Sequence, residues 1–190
     1  LNTSWADANN SYSVQSPDDD RFSNPVKPEK VFRKTRPRHK SAVGPTWESE
    51  RGERHEIFLK LPYPIQTGKR YTIHFEGEAL QTPVLDFHFN AQTFRTEAIH
   101  VNQAGYHPLQ HKKAYLSTWM GNGGAVEYDE FARFFVLEEH TGKKVYEGQV
   151  KKVLSSGHPE IETPRTGALY FHHTAVYELD FTRLNLPGRY

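Results

Sequence analysis

Thr96-Glu97-Ala98-Ile99-His100-Val101-Asn102-Gln103-Ala104-Gly105-Tyr106-His107-Pro108 is the stretch whose reading decides the fold. A strand-like apolar run at Ala98, Ile99 and Val101 breaks into an amide pair, a glycine, a tyrosine and then a proline. Glycine and proline at such a break stop a strand and start a loop. Upstream, short alternating runs close at Phe94; downstream a second set opens at Ala98. The segment is therefore predicted to leave one sheet domain (residues 1–95) and begin another (residues 96–190).

Working outward, the upstream strand signals are clear. Ile57, Leu59 and Leu61 recur at every second position, as do Tyr71, Ile73 and Phe75, and residues 84–94 form a third run. Residues 64–71, PIQTGKRY, read as a tyrosine corner, in which a tyrosine at a sheet edge bonds back to upstream backbone. Residues 11–14 suggest an edge strand within a polar start. The run Asp18-Asp19-Asp20 suggests calcium, but after Ser16-Pro17 it is expected to be a solvated turn. Basic residues at 27, 30, 33, 34, 36, 38 and 40 are expected on a surface strand ended by Arg36-Pro37, with Glu48, Glu50, Glu53 and Glu56 offsetting them. Residues 41–53 read as a loop around Trp47.

Downstream, residues 114–119 read as a buried strand and residues 120–124 as a flexible turn. Residues 131–137, FARFFVL, are apolar on both faces and suggest a central covered strand, with residues 145–153 as its partner. Residues 155–166 read as loop, followed by strands at 168–171 and 174–181. Residues 184–190, LNLPGRY, repeat the tyrosine-corner arrangement. In the first copy a strand and a return follow the tyrosine; in the second nothing follows Tyr190. The second sandwich is therefore expected to lack its closing strands and to leave unpaired backbone groups at an edge, as in the front portion of a longer polypeptide. No amphipathic helix of ten or more residues is visible, so the fold class is all-β: two consecutive β-sandwiches.

Four passages carry a resemblance. Residues 99–108 resemble the opening I-x-V-N-Q-x-G-Y-x-P of the immunoglobulin-like domain that precedes the catalytic barrel in glycoside hydrolase family 9. Residues 112–118, KKAYLST, resemble that domain's second strand; residues 135–148 are similar to its V-Y-x-G hairpin, and residues 176–190 to its D-F-x-x-L-x-x-P-G-x-Y passage. The resemblance implies that the second sandwich is an Ig-like domain ahead of an (α/α) barrel that cleaves β-1,4-glucan with inversion, using two carboxyl groups ~6.5–9.5 Å apart. It also implies an extracellular or periplasmic bacterial protein. The barrel's Asp-x-x-Asp motif and late glutamate lie outside this sequence, so no catalytic residue carries over. Asn102, Gln103 and Tyr106 are expected at the seam with the barrel, or else stitching the first strand of their own domain.

Composition narrows the alternatives. With 24 basic and 23 acidic residues among 190, neither a nucleic acid nor a membrane surface is expected as partner. The absence of cysteine excludes disulfides, thiolate metal sites and a cysteine nucleophile. No apolar run approaches the ~20 residues that span a bilayer, and the start LNTSWADANN is no signal peptide. Asp129-Glu130 and Glu138-Glu139 are neighbours that diverge on a strand, and so do His172 and His173; neither a metal nor another cofactor is expected. The expected partners are the downstream barrel, or another chain supplying the missing strands, with a polysaccharide as a further candidate. Three tryptophans (Trp5, Trp47, Trp119) and ten tyrosines keep open a free-standing carbohydrate-binding or adhesion module, its sugar-binding residues unassigned.

Overall fold

The computed structural model describes residues 2–43, 48–77, 83–129, 131–169 and 173–190, without side chains from 39 to 51. Strand makes up 42% of the chain and helix 8%, and the longest helix among the described residues is the four-residue Thr3–Ala6, so the all-β expectation holds. Contacts divide the chain into two compact units. The first runs to Phe94 and includes Met120–Gly123; the second comprises Arg95–Trp119 and Gly124–Tyr190.

In the first unit β1 (Tyr12–Gln15), β2 (Lys30–Val43), β3 (Glu48–Lys60), β4 (Lys69–Phe75) and β5 (Val84–Phe89) form two antiparallel sheets, ordered β1-β4-β5 and β2-β3. Tyr71 lies opposite Phe87, and Val14 opposite Ile73, so every second residue faces one core. Val14, Phe22 and Tyr71 are buried there, packed by Leu61, Ile65, Ile73, Phe87 and Phe89. The predicted tyrosine corner forms: Gln66 N donates to Tyr71 Oη at 2.9 Å. Tyr71 in turn donates to Asp19 Oδ2 at 2.8 Å.

Three expectations change here. Asp19 is 4% exposed rather than solvated, because Arg21 grips its carboxylate at 2.9 Å and Tyr71 closes over it. β2 does not end at Pro37 but continues past it, since the register shifts between Pro37 and His39 and a bulge needs no N–H from proline. Its partner β3 begins at Glu48, inside the expected loop; Trp47 lies outside the described residues. The basic face is offset as expected, with Glu56 meeting Lys34 at 3.6 Å, Arg54 at 3.4 Å and Arg36.

Residues 120–124 are also more than a flexible turn. Gly121–Gly123 form a single 3-10 turn against β2, where Arg33 N donates to Asn122 Oδ1 at 2.8 Å. Gly121 sits at φ +68, and a Cβ there would collide with the Arg33 carbonyl. Both reasons demand glycine.

In the second unit β6 (Ile99–His100), β7 (Lys113–Leu116), β8 (Arg133–Leu137), β9 (Lys144–Gln149), β10 (Lys151–Leu154), β11 (Ile161–Thr163), β12 (Gly167–Leu169) and β13 (Val176–Asp180) form a four-stranded sheet ordered β10-β13-β7-β6 and two hairpins, β8-β9 and β11-β12. Ala114, Val150, Ala175, Tyr177 and Leu179 are buried, with Phe134, Phe181 and Leu116 packed on them. The run 131–137 is not a central strand covered on both faces. Phe134 turns inward while Phe135 is 51% exposed and Phe131 82%, because successive residues of β8 face opposite ways and only one of its faces packs on the core. The partner run 145–153 breaks at buried Val150, whose N–H bonds Ala132 O at 3.0 Å; β9 before it joins one sheet and β10 after it the other. Residues expected as loop carry β11, paired with β12.

Two outcomes follow from the first unit. Gly121→Ala lowers its stability by about 1–3 kcal/mol, read in chemical denaturation. Arg70 holds the Asp18 carboxyl down to about 2, from an ordinary 3.8, and Arg21 holds Asp19 lower still. Their stabilisation is complete above pH 3.8 and is lost as pH falls through the folded values, so an acid titration followed by tyrosine fluorescence shows the first unit weakening progressively below that pH.

Candidate interaction site

The amide pair and tyrosine of the opening stretch form one turn in the second unit. Gly105, at φ +87, lets the chain reverse so that its N–H reaches Asn102 O at 3.1 Å. Asn102 Oδ1 accepts from Ala104 N at 3.0 Å, and Asn102 N donates to Tyr106 Oη at 3.0 Å. Tyr106 Oη then donates to Lys113 O at 2.6 Å, at the head of β7, and its ring stands edge-on to Phe181 at 5.0 Å. Asn102 and Tyr106 are thus bonded within their own unit, while Gln103 is exposed beside them.

The loop that follows is fixed by a lysine. Lys112 is 4% exposed, and its ammonium donates to Pro108 O at 2.6 Å and Gln110 O at 3.0 Å. Its backbone N–H donates to Thr182 Oγ1 at 3.1 Å. Thr182 also holds the Asp180 carboxyl below its usual range through its hydroxyl and its N–H. Around this frame Leu109, Val101 and Ile99 are exposed at 83%, 58% and 47%.

At the far end Tyr190 Oη donates to Leu186 O at 2.8 Å, making the second predicted corner. Gly188 lies close to that ring, where a Cβ would approach Tyr190 Oη to 2.8 Å. Beside it Glu139 N donates to Arg189 O at 3.0 Å, just past the end of β8. The Tyr106 corner went unrecognised in the sequence, although Val101-Asn102-Gln103-Ala104-Gly105-Tyr106 has the same order of apolar residue, loop, glycine and tyrosine.

The acidic pairs do not converge on a reacting bond. Asp129 Oδ1 caps Phe131 N at 2.8 Å, and Glu138 accepts from Thr141 N at 2.8 Å and Thr141 Oγ1 at 2.6 Å, which lowers its pKa. Glu127 is lowered by Lys152, Tyr177 and Ser156. Among the described residues no three His, Asp or Glu are grouped to hold a metal ion, and His172 lies outside them. Trp5 is a plug, with Nε1 donating to Glu76 O at 2.5 Å; Trp119 is 37% exposed near His173.

Residues 95–190, which include both the 102–106 turn and the Tyr190 corner, match the family described as the cellulase N-terminal Ig-like domain. The chain belongs to this family. No curated protein and no solved structure matches the chain. Membership of the cellulase Ig-like family accords with an all-β unit whose Asn102, Tyr106 and Tyr190 serve turns and corners. No helix among the described residues is long and apolar enough to cross a membrane.

Tyr106→Phe removes one hydroxyl that serves two backbone segments, and costs the second unit about 1 kcal/mol in urea unfolding. Gln103→Ala, at an exposed position, changes it by less than about 0.5 kcal/mol.

Proposed function

We propose that this chain is the non-catalytic N-terminal part of a glycoside hydrolase family 9 enzyme acting on β-1,4-glucan or a related polysaccharide, in the exterior or periplasm of a bacterium. The second unit braces the catalytic (α/α) barrel. The observation that carries this reading is the cellulase Ig-like family match over residues 95–190. The stretch I-x-V-N-Q-x-G-Y-x-P, resembling the opening of the Ig-like domain that precedes the family 9 barrel, supports the finer assignment.

The seam lies at the 102–106 turn. Asn102 and Tyr106 set its shape through their internal bonds, and exposed Gln103 offers an amide donor and acceptor to the neighbour. A second partner surface is the outer edge of β8. β8 pairs with β9 alone among the described strands, and the Glu139 N to Arg189 O bond is a first rung beside it. A strand supplied beyond the Tyr190 corner, or by another chain, completes that sheet.

The test is to fuse this chain ahead of a family 9 catalytic barrel and compare the melting temperature of the barrel alone, the fusion and the Gln103→Ala fusion. Bracing raises the barrel's transition, and Gln103→Ala removes part of the gain while leaving the isolated chain's own transition in place. Identical barrel transitions in all three would sink the proposal.

A further inference from the structure

We propose that the outer face of the four-stranded sheet in the second unit is a binding site for a neutral β-glucan chain. A groove of about 560 Å³ opens there, lined by Phe131, Gln149, Lys151, Lys152, Glu178 and Asp180. That volume is in the range that small ligands fill.

Strand register builds the site. Lys151 lies opposite Glu178, Glu178 opposite Tyr115, and Tyr115 opposite His100, so the four stand abreast across β10, β13, β7 and β6 on one face. Lys113 lies opposite Asp180 in the adjoining row. Tyr115 is 41% exposed in this face, and Phe131 stands at the groove with 82% of its surface open. Asp129 holds the backbone that carries Phe131: Asp129 Oδ1 accepts from Phe131 N at 2.8 Å and Asp129 O from Ala132 N at 3.0 Å.

The chemistry selects the ligand. Glu178 pairs with Lys113 at 2.8 Å, and Lys151 and Asp180 stand opposite Glu178 and Lys113, so the acids and bases of this face offset one another and favour neither an anion nor a cation. What the face offers is carboxylates that accept from hydroxyls, ammonium and amide groups that donate, and aromatic surfaces that cover C–H faces. A β-linked glucan has that profile, with equatorial hydroxyls at the ring edge and C–H bonds on its flat faces. The choice of glucan rests on membership of the cellulase family, not on the bracing of a barrel.

The experiment is affinity electrophoresis of the 190-residue chain in native gels containing hydroxyethylcellulose or, separately, polygalacturonate, with thermal melts of each variant. The expected result is retardation by hydroxyethylcellulose and not by polygalacturonate. Phe131→Ala and Tyr115→Ala each weaken it about tenfold, and Phe131→Ala does so without shifting the melt, because 82% of Phe131 is open to solvent. Leu109→Ala, exposed outside this groove, leaves it unchanged. Absence of retardation by hydroxyethylcellulose, equal retardation of the parent and both aromatic variants, or stronger retardation by polygalacturonate each overturns the assignment. Because no barrel enters the assay, its failure is separate from failure of the bracing proposal.

Discussion

A tyrosine hydroxyl bonded to the backbone of a loop is the interaction this protein is built on. Tyr71 accepts from Gln66 N, Tyr106 from Asn102 N, and Tyr190 donates to Leu186 O, each tying down a turn four or five residues upstream. Tyr12 does the same to Ala6 O, and Tyr177 accepts from Tyr128 N. The sheets are small, of two to four strands, so much of the backbone lies outside ladders and needs partners elsewhere. A tyrosine supplies a large apolar ring to the core and a hydroxyl to the loop from one residue. Tyr71 and Tyr177 are 1% and 0% exposed, which puts those hydroxyls where water could not substitute for the bond.

Charged groups serve the same end. Asp19 is gripped by Arg21 and Tyr71, Glu138 by its own turn, Glu127 by Lys152, Tyr177 and Ser156, and the Lys112 ammonium by two carbonyls. In an enzyme site such depressed carboxyl values would accompany convergence on a substrate. Here each carboxylate is occupied by neighbours that hold a turn or a strand, so the perturbations belong to architecture.

Two kinds of surface remain in the second unit. One is the edge of β8 with the turn at residues 102–106, whose backbone geometry suits contact with protein. The other is the outer face of β10-β13-β7-β6, where aromatic rings stand among offsetting charges and suit a polyhydroxylated chain. Under the two proposals, one surface holds a catalytic body and the other rests on its polymer.

What the sequence determined by itself is local. Period-two alternation is a property of extended backbone, so β4, β5 and β13 were legible from apolar residues alone, as were the corners at Tyr71 and Tyr190 from a glycine set just before the ring and the family likeness from the motif at residues 99–108. Tertiary structure decided everything that depends on which strand lies beside which. The bulge that carries β2 past Pro37, the seating of Gly121–Gly123 against Arg33, the burial of Asp19 under Tyr71, and the outward turn of Phe131 and Phe135 all arise from partners tens of residues away. The row of Lys151, Glu178, Tyr115 and His100 exists only because four strands from distant parts of the chain share one register. Spacing along a chain encodes which way a side chain alternates; only pairing and packing decide what it meets.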